Sequence, residues 1–190
     1  MNESIAKTMG VMAAYPAVHT ENQVLDAVMT LGTEKGQGYR AWRLGESHRV
    51  SSGKAVYRYL YLRPRRRFQG AANEAPGTAG GVVTTSAATP ARPQARGASH
   101  SAEIEYALGN LATNKRFAWE PADYKLSETM QNYFANFIKT GDPNGSGLPK
   151  WPAYSPDDGF QIMHLDVESH AGPEAGRPRY LLFDQIYRKK

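Results

Sequence analysis

The chain has 190 residues, 41% of them hydrophobic, with a formal net charge of +5 and no cysteine. That is one ordinary domain's worth of apolar material. It excludes disulfides and thiolate metal sites, and no apolar run is long enough to span a bilayer. The positive charge is clustered, in Arg63-Pro64-Arg65-Arg66-Arg67 and in the terminal Arg188-Lys189-Lys190, and the opening Met1-Asn2-Glu3-Ser4-Ile5-Ala6-Lys7 lacks the pattern of a secretory signal.

In chain order, Thr20-Glu21-Asn22-Gln23 reads as a capping box opening a helix over residues 20–31. Val24, Val28 and Leu31 fall on one face, and Gly32 suits a left-handed helix end. A second helix is expected from Tyr39 to Arg49. Ala55–Leu62, rich in aromatic and branched residues between Ser-Ser-Gly and Arg-Pro, reads as a strand. Arg63–Arg67 lacks the interleaved aromatics of a nucleic-acid surface and is expected to be a solvated face. Residues 69–96 have few large apolar groups, so they are expected to form a flexible insertion.

Next comes Gly97-Ala98-Ser99-His100-Ser101-Ala102-Glu103-Ile104-Glu105-Tyr106-Ala107-Leu108-Gly109-Asn110. Ser101 can act as N-cap and Glu103 faces the positive end of the following short helix, which puts His100 on the loop feeding that helix. A histidine there can cap or satisfy a carbonyl, or act as general base with a rigid element behind it. A longer helix is expected over 127–140, capped by Ser127, striped by Met130, Tyr133, Phe134, Phe137 and Ile138, and ended by Gly141 ahead of Pro143. A turn cluster, a strand over 160–167 and a helix over 180–188 complete the chain.

The run His100–Asn110 resembles the segment carrying the triad histidine in type-B carboxylesterases, the α/β-hydrolases that include para-nitrobenzyl esterases and cholinesterases. Tyr133-Phe134-Ala135-Asn136-Phe137, Gly141-Asp142-Pro143-Asn144-Gly145 and Leu148-Pro149-Lys150-Trp151-Pro152-Ala153-Tyr154 are similar to the family's C-terminal signature in order and spacing. Met163–Val167 and Arg179–Gln185 also resemble bacterial members, and Ala14-Tyr15-Pro16 and Val56–Tyr61 are weaker matches. The resemblance implies an α/β fold: residues 1–190 would be the C-terminal portion of an α/β-hydrolase, a few sheet strands with flanking helices, incomplete alone.

It also implies chemistry. A serine on a strand-to-helix elbow attacks the ester carbonyl, histidine moves the proton and a carboxylate orients the ring, in the chain order Ser, acid, His. Only the histidine finds a place here, at His100. The elbow Gly-x-Ser-x-Gly does not occur, and Gly45-Glu46-Ser47-His48-Arg49 lacks its final glycine and follows a helical pattern. Glu3 matches no acid motif, and the oxyanion loop has no counterpart. His164 and Asp166 share a strand face but lack the third ligand of a metal site. His19, His48 and His170 sit in polar surroundings, and Glu103 and Glu105 point in different directions on their helix.

The leading expectation is a carboxylic-ester hydrolase of small-molecule esters, with His100 as general base and acid and no cofactor. Its nucleophile would be supplied by a missing N-terminal half, and the chain would be inactive alone. Alternatives are a non-catalytic cholinesterase-like binding or adhesion module and a basic nucleic-acid binder using 63–67. The last demands steep salt dependence.

Overall fold

Thr20 opens the first helix, α1 (Glu21–Thr33), and both halves of the capping box form: its hydroxyl accepts the Gln23 N–H, and the Gln23 side chain accepts the Thr20 N–H. Gly32 does not end this helix. The backbone runs on through a π-helical turn, Glu34–Gly38, directly into α2 (Tyr39–Ser52). A π turn inserts one extra residue into the ladder, and here it accompanies a buried ion pair: Glu34 receives a two-pronged bond from Arg179 at 2.6 and 2.5 Å. This tertiary contact overrides the stop signal of glycine. Gly38 is needed for a different reason, since a Cβ there would lie 2.6 Å from the Tyr180 hydroxyl.

The computed structural model describes residues 10, 13–15, 19–77, 82–86 and 97–188. The chain divides into two compact units, residues 1–56 with 173–190, and residues 57–172. In the first, α2, the π turn and α5 (Arg177–Arg188) gather Trp42, Tyr180 and Phe183. Trp42 packs on Tyr180 and on Tyr39, whose hydroxyl donates to Asp184 at 3.1 Å. The terminal helix starts three residues before the expected Tyr180.

The second unit is built on a three-stranded sheet in the order β1 (Tyr59–Tyr61), β4 (Gln161–Leu165), β5 (His170–Pro173). β1 and β4 are parallel, with Tyr59 opposite Met163 and Tyr61 opposite Leu165. The strand expected over 55–62 is this one. Its ladder is only three residues long, and bonds from Met163 to Arg58 and from Leu62 to Leu165 extend it at each end. A parallel pair needs a crossover covering its faces. Here that crossover carries α3 (Ile104–Ala107) and α4 (Pro121–Thr140), and the core gathers Tyr61, Ala102, Tyr106, Leu111, Leu126, Met130, Tyr133, Trp151, Met163 and Leu165.

α4 begins six residues before the expected Ser127. Glu120 caps it, Pro121 takes the first helical position, and Asp123 completes a capping box. Ser127 is instead buried mid-helix, where its hydroxyl donates to the Tyr106 carbonyl at 2.7 Å. Gly141 ends the helix at φ 77°, a left-handed value that suits glycine. Of the flexible insertion expected over 69–96, residues 78–81 and 87–96 lie outside the described residues. In the remainder, β2 (Glu74–Pro76) pairs antiparallel with β3 (Val82–Thr84). No helix among the described residues is long and apolar enough to cross a membrane.

Candidate active site

His100 begins the turn that leads into α3, and its side chain is exposed. The order changes at once after it: Ser101 and Ala102 are buried, and so are Glu105 and Tyr106 on α3. Ser101 does not cap the helix. Its backbone is left-handed, φ 63°, whereas an N-cap is extended, and Glu103 occupies the cap position without a side-chain cap bond. The Ala102 N–H donates to the Ser99 carbonyl at 3.1 Å and the Ile104 N–H, more weakly, to the Ser101 carbonyl at 3.4 Å, which closes the turn.

A four-residue helix cannot hold itself, and buried charge holds α3 from both sides. Glu105 accepts from Arg65 at 2.8 Å and from the Asn114 amide at 2.6 Å. Tyr106 donates its hydroxyl to Asp123 at 2.9 Å. Asp123 is fully buried, and it also accepts from the Arg63 guanidinium at 2.9 Å and from the Glu120 N–H at 2.8 Å. Arg66 joins the cluster through Glu120 at 2.9 Å. Burial, then the neighbouring Asp123 charge, pushes the Tyr106 hydroxyl well above its ordinary pKa, so it stays a donor. Burial pulls Arg63 down, but its bond and charge pairing with Asp123 outweigh this and leave its pKa raised.

The basic run is therefore not the solvated face expected from sequence. Arg63, Arg65 and Arg66 turn inward onto acids, Arg65 also stacks over Phe117 at 4.7 Å, and only Arg67 is exposed. The reason is spacing. Asp123 and Glu105 lie far along the chain from the arginines, so no local pattern announces the pairs, although Glu120-Pro121-Ala122-Asp123 is a visible capping signature. Glu103 and Glu105 do diverge: Glu105 is buried on Arg65 and Glu103 is half-buried at the cap.

Ser47 lies inside α2 on an exposed side, away from any strand-to-helix turn, and Glu46 beside it is bonded to Arg49 at 2.7 Å. His19, His48 and His170 are exposed. His164 stacks on His170 with rings 5.1 Å apart, and Asp166 turns its carboxylate back to the Val167 N–H. Among the described residues no three His, Cys, Asp or Glu side chains gather as metal ligands. Glu3 lies outside the described residues. The arrangement thus presents the exposed His100 imidazole, a group able to take and return a proton, at the head of a turn closed by backbone bonds. No described carboxylate is hydrogen-bonded to its ring.

A family model described as the carboxylesterase family matches residues 3–180. The chain is 37% identical over 81 residues to pyrethroid hydrolase Ces2e of Rattus norvegicus, covering 43% of this chain and 14% of that protein. It is 41% identical over 85 residues to carboxylesterase 5A of Canis lupus familiaris, with the same coverages. To acetylcholinesterase of Gallus gallus it is 39% identical over 76 residues, 40% of this chain and 10% of that protein. The chain thus spans well under a fifth of each of these relatives. A solved PNB esterase superposes on 93% of the chain with a TM-score of 0.57 at 20% identity, covering 30% of that structure. This likeness establishes the fold: β1, β4 and their flanking helices are part of an α/β-hydrolase.

Proposed function

The chain belongs to the carboxylesterase family, and from that premise we propose that it supplies the histidine of a serine carboxylic-ester hydrolase. In this reading His100 takes the proton from a serine hydroxyl as the serine oxygen bonds to the ester carbonyl carbon. It then gives that proton to the departing alcohol. In the second half-reaction it takes a proton from water, whose oxygen attacks the acyl-serine, and returns it to the serine. The serine, the orienting acid and the oxyanion donors lie on another segment, the N-terminal part of the hydrolase, and the substrates are small-molecule esters. The chemistry needs no cofactor.

The observation that carries the reading is the contrast around His100. An exposed imidazole stands at the head of a segment whose next residues are buried and whose helix is held by Arg65 and Asp123. A general base needs that combination of access and fixed support. The test is reconstitution with the N-terminal part of a para-nitrobenzyl esterase, assayed on para-nitrophenyl esters. Neither piece alone should turn over ester above a general-base background, and the mixture should hydrolyse it saturably. Saturable turnover by the isolated chain that survives His100→Ala, or covalent labelling of Ser47 by an organophosphonate, would overturn the proposal.

A further inference from the structure

Two non-glycine residues among the described ones have positive φ, Ser101 at 63° and Phe160 at 57°. Phe160 closes a tight turn, its N–H donating to the Ser155 carbonyl at 2.8 Å. Ser101 is the third residue of a turn closed by the Ala102 N–H on the Ser99 carbonyl at 3.1 Å, with His100 the second. A left-handed backbone is unfavourable for an L-residue with a Cβ, and such a conformation persists only where its surroundings over-determine it.

The surroundings here do so. Ala102 is 1% exposed and its N–H donates to the Ser99 carbonyl. Beyond it, α3 is fixed by Arg65 on Glu105, Asp123 on Tyr106, and Ser127 on the Tyr106 carbonyl. With Ala102–Tyr106 anchored by these bonds, a change in the Ser101 backbone angles is taken up by what precedes it, and the first residue to shift is His100. The observed angle leaves the imidazole exposed while Ser101 itself is buried at 8%. We propose that Ser101 is a positioning residue: its left-handed backbone aims His100 out of the fold toward the reacting serine. This rests on the reading of His100 as general base.

The experiment compares Ser101→Gly, Ser101→Ala and Ser101→Val. Glycine adopts the left-handed region without strain, while a β-branched residue resists it. In the full chain, below its melting temperature, amide-resolved NMR should find the His100 N–H in place with glycine. With valine it should be shifted or split, while the Glu105 and Tyr106 N–H signals stay put. A role in stability alone would not move His100 selectively. In the reconstituted complex, valine should lower kcat tenfold or more with KM within about twofold, because small misplacements of a catalytic group act on the chemical step, and glycine should stay within about threefold of serine. If the valine chain does not fold, alanine, which also carries a Cβ, should shift the His100 amide and lower kcat relative to glycine.

A His100 amide unmoved by valine, or a valine complex as fast as the glycine one, would overturn the proposal. If His100 moves as expected but His100→Ala leaves the complex fully active, the reading of His100 as base has failed and the positioning geometry stands.

Discussion

α1 and α4 carry the same kind of amphipathic stripe and the same kind of N-terminal capping box, yet they end in opposite environments. On α4, Leu126, Met130 and Tyr133 are sealed from solvent. On α1 no residue is buried, and Val28 is 62% exposed. The contrast recurs inside α4, whose last turn carries Ile138 at 82% exposure only five residues after the sealed Tyr133. Periodicity selects a face for burial, and only a partner of matching shape buries it. α4 has its partner in the sheet and in Trp151, which meets Tyr133 edge-on at 5.1 Å. Under the proposed reading, in which the chain joins the N-terminal part of a hydrolase, these open apolar faces are the surfaces that part would cover.

The largest expected effect tests whether buried charge anchors the covered helix. Asp123→Ala removes the acceptor of Arg63 and of the Tyr106 hydroxyl and the inner half of the α4 capping box, and should cost about 3–5 kcal/mol in urea unfolding, as breaking a buried pair does. A loss below about 1 kcal/mol would mean that the cluster is incidental to α4. Packing comes next. Met130→Ala should cost about 2–5 kcal/mol, whereas Ile138→Ala on the same helix should stay within about 0.5 kcal/mol. Equal losses would break the comparison.

A pH titration sharpens it further. Burial pushes Tyr133 from its ordinary value near 10 up to about 12. The unfolded chain therefore releases this proton first, so its share of stability is full below pH 10 and is lost as pH rises from 10 through about 12. Tyr133→Phe should flatten that decline, and an unchanged decline would assign it elsewhere. The smallest effect belongs to α1: Val28→Ser should change the stability of the chain by no more than about 0.5 kcal/mol while weakening capture of the N-terminal part of a relative. A large loss of stability would show that this face is already covered.

Much of the fold was legible because it is written locally. The Thr20–Gln23 box, the Gly141 end of α4 and the strand at Tyr59–Tyr61 all rest on neighbouring residues. Three expectations failed where distant contacts decide. Gly32 reads as a stop, but Arg179 reaches Glu34 from 145 residues away and the helix continues. Ser127 reads as a cap, but Pro121 and Asp123 start the helix earlier and Ser127 bonds Tyr106 instead. The arginines at 63, 65 and 66 read as surface, but their acids arrive from 40 to 60 residues downstream. The place of His100 on the loop feeding α3 was legible, while the left-handed backbone at Ser101 had no sequence signal, since serine there suggests a cap.

The central claim, that His100 is the base for a serine carried elsewhere, is tested most directly by the rate at which an organophosphonate labels that serine in the reconstituted complex. Labelling requires activation of the hydroxyl but no turnover. His100→Ala should slow it by roughly a thousandfold or more, the scale of losing a triad member, and His164→Ala should leave it unchanged. A folded complex that labels equally fast with alanine or histidine at position 100 would contradict the claim.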